Sequence, residues 1–283
     1  MRSLQVSGIA IAVVALMVIA GCTDPVGVDP ATTSGGEPGT TSGGGGGDDP
    51  TGGGSVDLGD VPATAFVTTW KTDATGNVVT GSNQIKLPLD FTGTFDFTVD
   101  WGDGTEDTIT SYDQAEATHT YTTAGTYDVV IEGQIDGFGF FDFGEDSSKI
   151  IDVRQWGNVK LHNRGSQFYE ADNLTGFSAT DEPDLTGVTN MSDMFRSASS
   201  FADGVDGWTV GGVENMSGMF QDAAAFAGDP SSWNVANVTD MSEMFSGASA
   251  FDGDLNGWDV SNVESMRSMF DSSSFTGDLD GWT

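Results

Sequence analysis

Cysteine is nearly missing: Cys22 is the only one in 283 residues, which excludes an intramolecular disulfide and a cluster of thiolate metal ligands. Histidine is almost as scarce. His119 and His162 are the only two, and with no H-E-x-x-H and no G-x-S-x-G neither has an evident catalytic partner. Basic residues number 9 against 43 acidic ones, a net charge of −34, so nucleic acid and anionic membrane surfaces would be repelled. No phosphate-cradling loop is present, because the glycine runs at 43–47 and 52–54 lack a lysine and a following helix. Beyond the N-terminal residues no apolar run is long enough to cross a bilayer. The acidity fits hard cations, a salty medium, or solubility alone, and composition does not separate these.

The single cysteine has a telling setting. Arg2 supplies a short positive region, Ile9 to Ile19 an apolar one of signal-peptide length, and Ile19-Ala20-Gly21-Cys22 follows. This segment resembles the lipobox of bacterial lipoproteins. The resemblance implies a signal peptide over 1–21, cleavage before Cys22, and lipidation of its thiol. The chain would then sit in the cell envelope, anchored to a membrane by lipid and exposed at the cell surface. Two or three acyl chains anchor stably where one does not. The alternatives are an ordinary signal peptide with an incidental cysteine, or an uncleaved anchor helix.

Residues 22–62 are Gly, Ser, Thr, Pro and Asp with few large apolar groups, too little to offset chain entropy, and they read as a disordered tether spanning roughly 30–40 Å. Over 63–147 the pattern turns to strands: Ala65–Trp70, Ile85–Leu89, Phe95–Trp101 and Tyr127–Ile131. Phe95, Phe97, Val99 and Trp101 alternate with polar residues, as in a half-buried strand. Gly102-Asp-Gly-Thr105 is a turn signal in which Gly104 supplies positive φ. Trp101-Gly-Asp-Gly-Thr105, His119-Thr-Tyr121 and Ala124-Gly-Thr-Tyr-Asp-Val-Val130 resemble PKD-type, immunoglobulin-like domains of surface proteins. That resemblance implies a small β-sandwich with a spacer or binding role and no catalytic residue.

From Val188 the sequence repeats every 25 residues: Val188 to Phe195 recurs as Val213 to Phe220, Val238 to Phe245 and Val263 to Phe270. Each copy continues to a Phe (201, 226, 251, 275) and a Trp (208, 233, 258, 282). A fixed period of this size means stacked units that cannot bury their apolar faces singly. Val188, Met191, Met194, Phe195 and Ala198 fall at helical offsets, which predicts a short helical or 3-10 stretch in each copy. Leu255, Trp258 and Val260 follow an L-x-x-L-x-L spacing, which predicts a strand. Residues 148–187 read as a diverged first repeat or cap before the four repeats of 188–283, and the sequence stops in mid-repeat. The expected fold is therefore mixed: a small β-sandwich, then a leucine-rich-repeat-like α/β solenoid. Asn190-Met-Ser-Asp-Met-Phe195, Asn215-Met-Ser-Gly-Met-Phe220 and Ser231 to Met241 resemble BspA-type leucine-rich-repeat surface proteins of bacteria. That family implies surface display and adhesion, with no single shared ligand.

Eight of the ten methionines lie in the repeats, on the apolar face, which favours core packing over a soft-metal site. The regular tryptophans favour core over a sugar platform. Asp252, Asp254 and Asn256, with Gly257, follow the start of a calcium loop, but Val263 stands where its bidentate Glu belongs. A solvated turn is the competing reading, and it applies also to Asp100, Asp103 and Asp107. Asn173, Asn190, Asn215 and Asn237 open N-x-S/T triplets, which matter only in a host that glycosylates them. No catalytic residue and no cofactor is expected beyond a weak case for Ca²⁺. The reading is a non-catalytic, surface-displayed lipoprotein that binds a protein, glycan or extracellular-matrix partner through its repeats and touches membrane through lipid alone. The alternative is a structural or glycan-handling part of an envelope assembly.

Overall fold

The computed structural model describes residues 54–140 and 146–282, so the expected signal peptide, Cys22 and most of the expected tether lie outside the described residues. β-Branched and aromatic residues build the first half. β1 (Phe66–Lys71), β3 (Leu89–Asp100), β4 (Glu106–Ile109), β6 (Thr126–Phe138) and β7 (Ile150–Gln155) form one antiparallel sheet in the order β4-β3-β6-β1-β7, and β8 (Lys160–Leu161) pairs parallel with β6. Val99 and Phe66 both lie opposite Ile131 on β6. Alternation along β3 turns Phe95, Phe97 and Val99 into the core. β2 (Gln84–Lys86) and β5 (Thr118–Thr120) make a separate two-stranded sheet, and Ile85 joins the cluster that holds Trp101 and Tyr121. In place of the expected small β-sandwich stands one six-stranded sheet with a two-stranded companion.

Two polar devices tie the sheet to its surroundings. The buried Asp146 carboxylate accepts N–H bonds from Val79, Thr80 and Lys86. The buried Lys149 ammonium donates to the carbonyls of Gly81 and Gln84 at 2.8 Å and lies 3.8 Å from Asp146. Burial pushes the lysine pKa down, and Asp146 opposes the shift. On the other face, Val56, Leu58 and Val61 pack on Ala65, Val67 and Val130, so residues 54–62 lie against the sheet.

The repeats stack in register. Met191, Asp193, Phe195 and Ser197 donate their backbone N–H groups to the carbonyls of Asn215, Ser217, Met219 and Gln221, and the same four bonds recur at each later junction. Ser166, Phe168 and Glu170 donate likewise to Ser192, Met194 and Arg196, so the ladder starts before the first clear repeat. Phe168, Phe195, Phe220, Phe245 and Phe270 form one column with neighbouring centroids 5.4–5.9 Å apart. Phe201, Phe226, Phe251 and Phe275 form a second. Each buried ring contributes about 1.5–3 kcal/mol of apolar transfer, plus about 0.5–1.5 per ring pair. Trp156 stacks on Phe66 and meets Phe168 edge-on, so sheet and repeats share one core.

The expected α/β solenoid does not form. No α-helix occurs among the described residues; the only helical pieces are three-residue 3-10 turns, Pro230–Ser232 being the one within the repeats. The strand expected at Leu255, Trp258 and Val260 is absent too, and parallel bridges join Asn190, Asn215, Asp240 and Ser265 instead. The physical reason is local. Asp193 and Ser197 adopt left-handed φ of 55° and 59°, which stops a helix between Met191 and Ala198. Every second N–H group is directed at the next copy, while those of Met194, Arg196 and Ala198 reach only three residues back, to Met191, Asp193 and Phe195. Gly218 and Gly247 take the equivalent left-handed positions without steric cost.

Candidate functional site

The polar residues with the most functional promise in the repeats hold neighbouring turns together. The Asp252 carboxylate accepts from Thr276 N at 2.7 Å, Asp254 from Asn256 N at 3.0 Å, and Asn256 Oδ1 from Gly281 N at 2.7 Å. The three side chains face backbone amides, two of them in the following copy, and do not converge on one point. Asp206 acts the same way on Asp229 N at 2.9 Å. Among the described residues no group of three or more His, Cys, Asp or Glu side chains is placed to hold a metal ion. Asn190 and Asn215 accept from the amides of Ser192 and Ser217, while Asn173 and Asn237 donate to Ser148 O and Gly211 O at 2.7 Å. Hydrogen bonds from Ser231 and Ser261 hold Asp229 and Asp259 below the usual carboxylate range, so these outer turns stay ionised.

The turn after β3 is equally self-contained. Asp100 accepts from Gly102 N at 2.9 Å, and Asp107 accepts from the Trp101 indole at 2.9 Å. Asp103 accepts from Thr105 N at 3.1 Å and lies 2.9 Å from His119 Nε2. Burial raises the Asp103 pKa, but the bonds from Thr105 and His119 outweigh it and leave the carboxyl below its ordinary value. The His119 ring stacks 4.7 Å over Trp101. His162 is buried, with Nε2 3.1 Å from Phe140 O. Burial pushes its pKa down, so it is neutral at pH 7.

A recess lies where the sheet meets the first copies of the stack. It encloses about 720 Å³ and is lined by Thr69 of β1, Asp128 of β6, Asp152 and Arg154 of β7, then Phe177 and Ser178. Asp128 is only 4% exposed; it accepts from Val56 N at 2.9 Å and Thr69 Oγ1 at 2.6 Å, and it pairs with Arg154. Asp152 accepts from Ser178 N at 2.9 Å. The lining thus offers hydroxyls, carboxylates, one guanidinium and one aromatic ring, a mixture suited to holding a polar ligand. None of these residues stands out in the sequence as a site. The one available signal is Arg154, a cation within a strand of a chain that has so few.

Residues 162–282 match a family model described as "Mycoplasma protein of unknown function, DUF285". The similarity covers the stack, beginning just ahead of its first ladder donor, Ser166, and omits the sheet. The search of curated proteins gives no match, and neither does the search of solved structures.

Proposed function

We propose that this protein is a non-catalytic binding component, held at the cell envelope through a lipid on Cys22, that engages a protein, glycan or matrix ligand. The observation that carries the binding part is the contrast between stack and recess. The carboxylates and amides that suggested sites in the repeats are engaged within or between turns; Asp128, Arg154 and Asp152 are engaged too, but they line an open volume together with Thr69, Phe177 and Ser178. Its residues come from three strands and from the first copies, so a ligand there would touch both halves. The lipobox-like segment and the BspA-like repeat residues support display at a surface.

The test is binding of the mature chain to arrays of cell-surface, matrix and glycan components, with and without calcium. A ligand is expected whose affinity falls at least about tenfold in Asp152→Ala or Ser178→Ala, a loss of about 1.4 kcal/mol. Binding to no component in either condition overturns the proposal. The anchor is tested separately: a fatty-acid probe should label the wild type and not Cys22→Ser.

A further inference from the structure

Among the described residues the exposed large hydrophobic side chains are Val79, Phe91 and Tyr112, and the two aromatic ones are 58% and 43% exposed. They lie together. Phe91, near the start of β3, and Tyr112, in the turn after β4, have ring centroids 6.4 Å apart and meet at 66°. The Arg164 guanidinium sits over the Phe91 ring, 4.4 Å from its centroid, and its Nε is 3.7 Å from the buried carboxylate of Asp90. Asp90 also accepts from the amide and hydroxyl of Thr92 at 2.6 Å, which fixes the backbone on either side of Phe91. Beside the rings is a recess of about 200 Å³ with Leu87 and Leu89 in its wall and Lys86 at its rim. It shares no residue with the larger recess.

Exposed aromatic rings held on a rigid strand and turn form a ready contact surface. Size and charge narrow the occupant. A recess this small takes one ring and not a helix or a protein face. A net charge of −34 repels polyanions at long range. Lys86 lines the recess and Arg164, paired with Asp90, lies over Phe91, so the site offers N–H donors to a hydroxylated ligand. What fits is a neutral ring with an apolar face to lie against an aromatic plane and hydroxyls on its edge to accept from cationic donors. We infer that Phe91 and Tyr112 form a stacking site for a neutral hexose unit of a glycan, with Lys86 and Arg164 donating to its hydroxyls. This extends the binding reading to a second surface, and because the two recesses share no residue they fail separately.

The experiment is calorimetric titration of the full chain with cellotriose, maltotriose, mannotriose and galactotriose. Trigalacturonate and the chitosan trimer serve as anionic and cationic arms. At least one neutral trisaccharide should bind, and Phe91→Ala and Tyr112→Ala should each weaken it about tenfold or more. Phe91→Tyr and Tyr112→Phe, which keep the rings, should bind like the wild type, and an unchanged melting curve shows that all four variants fold. No binding by any neutral trisaccharide overturns the inference. So does unchanged affinity in both alanine variants, or tighter binding of either charged trimer.

Discussion

Trp258 donates its indole N–H to the carbonyl of Pro230, 3.0 Å away in the preceding copy, and that carbonyl also receives the backbone N–H of Trp233. Val205 O receives the same pair from Trp208 and Trp233, and Leu255 O from Trp258 and Trp282. Trp233, Trp258 and Trp282 therefore each close their own turn with the amide and clip the turn before it with the ring.

Replacing the indole with a smaller apolar ring removes the clip. Trp258→Phe should lower unfolding free energy by about 1 kcal/mol from the lost hydrogen bond, with a further loss from reduced packing. Urea denaturation of the full chain, at equal m-value, checks this. Trp282→Phe should cost less, because Trp282 is only partly buried.

The aromatic columns should be weakest where they are least covered. Phe245→Ala, between Phe220 and Phe270, should cost about 3–5 kcal/mol. Phe275→Ala, at a partly buried ring, should cost clearly less. Equal losses at the two positions would contradict a core that thins towards the last described copy.

The left-handed positions give paired tests of opposite sign. Ser268, exposed at φ 53°, should stabilise by about 0.5–1 kcal/mol when changed to Gly, since relief of the left-handed conformation exceeds the added chain entropy. Gly218→Ala should destabilise by about 1–2 kcal/mol, because φ is 62° and a Cβ there would lie 2.4 Å from Asp193 Oδ1. Thermal or urea unfolding of both variants reads the sign directly.

His162 should make stability depend on pH. Its folded pKa is held below the ordinary 6.5 by burial, so below that value the unfolded chain takes up a proton that the folded chain refuses. Stability present at pH 7.5 should fall as pH drops through 6.5, then level off below the folded pKa. His162→Gln should flatten this part of the profile in melting curves taken from pH 7.5 to 5.

Asp128 pins residues 54–56 to the sheet. Asp128→Asn should raise hydrogen exchange at Val56 and destabilise the fold by about 3–5 kcal/mol, because Arg154 loses its carboxylate partner beside a nearly buried position. If Val56 stayed as protected as in the wild type, the carboxylate would not be what holds it.

The core was legible in the sequence, and its conformation was not. The spacing of Val188, Met191, Met194, Phe195 and Ala198 marks an inward face, and all five are buried. The same offsets are met by consecutive tight turns, however, and only Gly218 and Gly247 hint at the positive φ that their counterparts Asp193 and Asp222 also adopt. The calcium-loop spacing of Asp252, Asp254 and Asn256 was ambiguous for a related reason: short polar side chains that bind hard cations also cap backbone amides in turns. The recess was invisible because Asp128 and Arg154 come from separate strands, and Phe177 and Ser178 from the stack. The exposed Phe91 looks in sequence like any core residue of a strand.

The ladder in which residue i of one copy donates to residue i+24 of the next makes length a discrete variable. An insertion of one residue between Met191 and Ser197 would present the later amides of that copy to the wrong carbonyls and move Phe195 out of its column. Removing or duplicating a full 25-residue unit joins two ends that already fit. A gene for such a chain can lengthen or shorten its product by recombination between copies, in whole steps, and each step leaves the packing rules of every junction unchanged.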